Sequence, residues 1–101
     1  MTDVIVKVIK IKGNCQMYKE GDSFLIREGY KLDAKKTLCM HSLLSIMPYY
    51  VALSKGVNYE DTGLGKESIK VQCLDPNYCA DSGTVIFEVR RKNESNRKNK
   101  K

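Results

Sequence analysis

The chain opens on an almost unbroken apolar run, Val4-Ile5-Val6-Lys7-Val8-Ile9-Lys10-Ile11. In an extended chain Val4, Val6 and Val8 share one face with Lys10. Ile5, Ile9 and Ile11 share the other with Lys7. Branched residues on both faces predict a strand in the middle of a sheet, ended by Lys12-Gly13-Asn14. Glu20-Gly21-Asp22 then reads as a turn, and Ser23-Phe24-Leu25-Ile26 as a second strand closed by Arg27-Glu28-Gly29.

The period changes between Asp33 and Ser54, which reads as the helical region. Stepping 100° per residue from Cys39 puts Leu43, Ile46, Met47, Tyr50 and Leu53 within about 80° of it. His41 and Ser45 fall on the opposite side, and Ser42 and Tyr49, at the margin of the stripe, are read with them as outward. Pro48 removes a backbone donor, so a kinked helix or a helical hairpin is expected, with Lys55-Gly56 as the C-terminal cap. Val57 to Lys66 reads as loop, and Ser68 to Cys73 as a strand. Asp75-Pro76-Asn77 is a turn, and Gly83 to Arg90 a last strand with Val85, Phe87 and Val89 facing the core. The expected fold is α+β: a small, mostly antiparallel sheet of about four strands in the order β-β-α-β-β, packed on that helix.

Apolar residues make up 42% of the 101 positions and charged residues 30%, enough for one core and one domain, residues 1–91. The net charge of +6 sits at one end. Arg90 to Lys101 holds seven basic residues and one acid, whereas the preceding chain is balanced. Residues 92–101 therefore read as a disordered basic tail, first as a solubilising terminus; the partner such a tail otherwise suggests is a nucleic acid met weakly and non-specifically. No apolar run reaches the 18 to 20 residues or so of a membrane span. The start, Met1-Thr2-Asp3-Val4, lacks the pattern of a signal peptide, so a cytoplasmic protein with reduced thiols is expected and the Asn93-Glu94-Ser95 sequon carries no meaning.

Reduced thiols make the four cysteines the main candidate chemistry. Cys15 follows the first strand, Cys39 lies near the helix start, Cys73 ends a strand, and Cys79 lies in the next loop. Three readings compete. The cysteines are small core residues; or Cys15, Cys39 and Cys73, with Cys79 as a further member, bind zinc or an iron–sulfur cluster; or Cys39 is a redox or thiol-transfer centre. The spacing lacks the short Cys-x(2–4)-Cys knuckle of structural zinc sites. If Thr37 caps the helix, its amides favour a Cys39 thiolate; if Asp33 does, Cys39 lies deeper and the effect fades. His41 stands two residues along the helix from Cys39, about 200° away, and reads as solvated. Asp22 and Asp75 read first as turn residues, with Asp75 close to Cys73. There is no phosphate-binding glycine motif around Gly63-Leu64-Gly65-Lys66.

The ordered set Gly13-Asn14-Cys15, Gly21-Asp22-Ser23-Phe24, Leu38-Cys39, Pro48 with Leu53 and Gly56, Cys73-Leu74-Asp75-Pro76, and Phe87-Glu88-Val89-Arg90 resembles a sparsely distributed family of short archaeal and bacterial proteins. No activity is assigned to that family. The resemblance covers Val4 to Arg91 and implies a shared site at Cys15, Cys39 and Cys73, with Asp22 and Asp75 nearby. The family usually has Pro where this chain has Leu74, and Cys79 matches no part of the pattern. The resemblance also implies an intracellular prokaryotic protein. The expected function is an accessory domain with a three-thiol, soft-metal site. The alternatives are a thiol enzyme centred on Cys39 and a nucleic-acid accessory protein acting through the tail. Exposed sheet edges would suit a homo-oligomer.

Overall fold

The computed structural model describes residues 2–79 and 81–92. Among the described residues, five strands, β1 (Val4–Gly13), β2 (Ser23–Arg27), β3 (Lys31–Asp33), β4 (Ile69–Gln72) and β5 (Gly83–Arg91), accompany one α-helix, α1 (Met40–Ser54), and a short 3-10 helix, Tyr59–Thr62. The sheet is antiparallel throughout, in the order β3-β2-β1-β5-β4. The fold is α+β, with β1 at the centre as its apolar run predicts. α1 packs across β1, β5 and β4 on one face of the sheet.

The core lies between them. Val4, Val6, Val8, Phe24, Ile26, Ile69, Val71, Val85, Phe87 and Val89 project from the sheet, and Ile46 and Leu53 from the helix. The alternation in β5 falls as its pattern predicts. In β1 it breaks: Val8 pairs with Phe87, but Lys10 pairs with Ile86 and Ile11 with Val85. This bulge at Ile9 shifts the side-chain parity, so Ile11 turns to the core face and parts from Ile5 and Ile9.

Two further departures concern the helical region. Residues 31–33 form the fifth strand, because Glu28 and Gly29 adopt positive φ and turn the chain back along β2. An ion pair between Arg27 and Asp33 ties the two strands. The helix therefore begins at Met40, and it runs unbroken through Pro48 as one element rather than a hairpin. Its inward face also differs. Ser42 is fully buried and Met47 is exposed, because Ser42 has hydroxyl partners inside. Tyr49 and Tyr50 are both half-buried against the core.

Both ends of α1 are fixed by residues from outside it. At the N-terminal end the Cys39 N–H donates to the Tyr18 hydroxyl at 3.0 Å. At the C-terminal end the buried Arg91 guanidinium donates to the carbonyls of Leu53 and Val57, at 3.0 and 2.8 Å. A cation there complements the negative end of the helix dipole. Arg91 also lies 4.3 Å from the centre of the Tyr59 ring.

The backbone of the sheet reaches Lys92, whose N–H donates to the Asp3 carbonyl. The remainder of the expected tail, residues 93–101, lies outside the described residues. Among the described residues, no helix is long and apolar enough to cross a membrane.

Candidate functional site

Where β1 and β5 end, Gly13 pairs with Gly83. Gly13 has φ +88°, and a Cβ on Gly83 would lie 2.7 Å from the backbone of Asn14. The absence of side chains at this pair lets the loop after β1 fold tightly over the start of β5. Cys15 lies in that loop, half-buried.

Cys73 follows β4 and is buried. Its sulfur accepts the Val85 N–H at 3.3 Å, and the carbonyls of Gly83 and Asp75 lie 3.9 and 4.0 Å from it. Asp75 holds the following turn. Its carboxylate accepts the N–H groups of Asn77 and Gly83, at 2.8 and 3.4 Å, and its carbonyl accepts the Thr84 hydroxyl. Cys39 is the N-cap of α1, with extended backbone and no side-chain capping bond.

These segments enclose a cavity of about 170 Å3, lined by Cys15, Cys39, Cys73, Asp75, His41 and Tyr18 among others. The three cysteines that sequence reading singled out thus stand on the walls of one cavity, though 24 and 34 residues separate them in turn along the chain. Asp75 joins them as both turn residue and wall.

Asp22 and Cys79 are not among the lining residues. Asp22 accepts the Lys19 N–H at 2.8 Å and an ion pair from Lys36 at 2.9 Å. Those contacts, the Lys19 bond first, hold its carboxyl below the ordinary value. Cys79 is exposed, and its carbonyl receives the N–H and hydroxyl of Ser82.

His41 is exposed, as its reading as a solvated residue expects, yet it also lines the cavity beside Cys39. The angle of about 200° assumed that Cys39 lies inside the helix. Cys39 is its cap, with extended backbone, so helical spacing does not separate the pair and His41 lines the same cavity. Tyr18 was unmarked as well. Nothing in its local sequence announces a hydroxyl that meets a helix start 21 residues away.

As placed, no three His, Cys, Asp or Glu side chains among the described residues form a ready metal-holding group. The donors surround a space without converging on one point in it. Comparison of the chain with family models, with curated proteins and with solved structures finds no match.

Proposed function

We propose that the cavity takes up a soft metal ion of the zinc type, with Cys15, Cys39 and Cys73 as thiolate ligands and His41 as the fourth donor, and that the domain serves an accessory rather than a catalytic role. The observation that carries this reading is the single cavity with three cysteines and the chain's one histidine on its walls. Three thiolates and an imidazole are a standard donor set for tetrahedral zinc, whereas an iron–sulfur cluster usually asks for four thiolates. With Cys79 outside, zinc is the better match. The half-buried Cys15 and Cys39 would swing inward by rotation about their Cα–Cβ bonds. Burial of apolar β5 beneath the site would hold its walls.

The test is metal content. Protein purified without oxygen and without a metal-affinity tag is expected to hold about one zinc per chain, or to take up about one cobalt ion with thiolate-to-metal absorption bands. Cys15→Ser, Cys39→Ser, Cys73→Ser and His41→Ala should each weaken it. Retention of stoichiometric metal in all three cysteine variants would sink the proposal.

A second reading rests on a different observation: Cys39 is itself the helix cap, beside first-turn amides that helical bonds leave free. Such a thiolate could attack a disulfide sulfur of a substrate, expel one substrate thiolate, and be released when Cys15 or Cys73 displaces the second. It predicts a mixed disulfide trapped on Cys39 when both other cavity cysteines are serine. No trapped adduct with a small aromatic disulfide would remove it.

A further inference from the structure

α1 stands on the surface of the fold, yet no charged residue occurs from Leu38 to Ser54. In a chain with 30% charged residues, the outward face of a surface helix is where lysine and glutamate are expected. Met40, Leu44, Met47 and Val51 occupy that face instead, 63, 47, 54 and 38% exposed. Their spacing of four, three and four residues keeps them within about 60° of one another around the helix, as in the seam of a two-helix coiled coil.

The stripe does not stand alone. Tyr30 and Leu32, at the β2–β3 turn and on the edge strand β3, are 72 and 48% exposed. With Met47, Leu43, Ile46, Tyr50 and Ile26 they line an apolar notch of about 180 Å3 between β3 and α1.

We infer that this face is the contact surface of a two-fold homodimer, in which the α1 helices of two copies pack against each other. Three features favour a second copy as the occupant. A heptad-spaced stripe is complementary to itself, so a two-fold operation places apolar residue against apolar residue along its length. The absence of charge leaves no like-charge repulsion when a face meets its own copy. From their exposures, the four stripe residues with Tyr30 and Leu32 present on the order of 600 Å2, most of the roughly 800 Å2 per partner that a standard interface buries. A lipid surface is the poorer occupant, because interfacial helices flank their apolar face with Lys and Arg, and α1 has neither.

Sedimentation equilibrium of the full chain, from about 1 to 500 µM, tests the inference directly. The expected result is a species of twice the 11.5 kDa chain mass, dissociating on dilution. Leu44→Glu acts twice across the two-fold axis and should weaken the dimer at least 100-fold, while Lys7→Glu on the opposite face of the sheet should leave it intact. If Leu44→Glu misfolds by circular dichroism, Met47→Lys at an equally open position serves in its place. A wild-type monomer at every concentration overturns the inference. So does a dimer that survives both α1 substitutions, or a monomer that instead sediments with phosphatidylcholine–phosphatidylglycerol vesicles.

Discussion

The Tyr18 hydroxyl accepts the backbone N–H of Cys39 at 3.0 Å, which ties the loop after β1 to the cap of α1. The bond closes a ring. Ser42 gives its hydroxyl hydrogen to the Cys39 carbonyl at 2.7 Å, so at the 2.8 Å contact between the two hydroxyls Tyr18 is the donor to Ser42. Tyr18→Phe keeps the ring packed edge-on against Phe87 and removes only the oxygen. It strands the Cys39 N–H and one lone pair of Ser42. The expected loss is about 1–3 kcal/mol in urea unfolding, and Tyr30→Phe, at an exposed ring, should cost almost nothing. Equal effects of the two variants would show that the hydroxyl ring does not hold the cap.

Arg91 makes a corresponding prediction at the other end of the helix. It reaches two carbonyls at the end of α1 from the last strand, and it is 8% exposed. Arg91→Ala removes charged donors from buried acceptors, for an expected loss of about 1.5–3 kcal/mol. Arg91→Lys should recover only part: both carbonyl bonds leave one nitrogen, Nη1, which an ammonium can imitate, but an ammonium lacks the planar face that stacks on Tyr59. Thermal unfolding by circular dichroism ranks the three proteins; lysine equal to arginine would refute the stacking argument.

Strands whose apolar faces belong to the core were legible from the sequence. Val85, Phe87 and Val89 alternate because β5 has one covered face, and β1 is central as its apolar run predicts, although its second face, with Lys7 and Ile9, is open. What escaped depends on contacts distant in sequence. The bulge at Ile9 is set by pairing with β5, so no local signal moves Ile11 to the core face. Ser42 reads as outward for its polarity, although it stands about 60° from Cys39 at the margin of the apolar stripe; the Tyr18 hydroxyl accounts for its burial. The three cysteines were recognisable because each stands near an element end, and ends on one edge of a small sheet are neighbours. Helical spacing does not set His41 beside Cys39, because the 200° angle treats Cys39 as a helical residue, whereas Cys39 is the extended cap.

Gly83→Ala tests how the cavity is closed. The added Cβ would meet Asn14 backbone atoms at 2.7 Å, and backbone yields less readily than a flexible side chain. A loss of about 1–3 kcal/mol is expected, with a rise in Cys15 reactivity as its loop is pushed outward. Gly21→Ala is the comparison: no atom lies within 4 Å of its Cβ, so its cost comes from the positive φ alone and Cys15 should be unaffected. Unaltered Cys15 reactivity in Gly83→Ala would mean that the glycine pair does not set the loop.

Asp22 gives the pH prediction. The Lys19 N–H and Lys36 hold its folded carboxyl below the ordinary value, so the folded state favours the ionised form. Its contribution to stability is present above the unfolded value of about 3.9 and is lost as pH falls through the lower folded value. Urea midpoints of wild type and Asp22→Asn should therefore differ at neutral pH and converge in strong acid. A difference independent of pH would show that the carboxylate charge contributes nothing.

The four thiols should differ sharply in access. Cys79 is exposed, Cys15 and Cys39 are half-buried, and Cys73 is 7% exposed with its sulfur bonded to the Val85 N–H. A brief pulse of alkylating reagent, read by peptide mass, should label Cys79 first and Cys73 last, with Cys73 reacting only as the chain opens. Denaturant should erase the order. Zinc added before the pulse is the informative variation. Under the proposed metal site it protects Cys15 and Cys39 and leaves Cys79 as fast as before, because Cys79 lies outside the cavity lining. Protection of Cys79 to the same extent would move the metal away from the cavity, and protection of none of the four would leave thiol chemistry at Cys39 as the surviving reading.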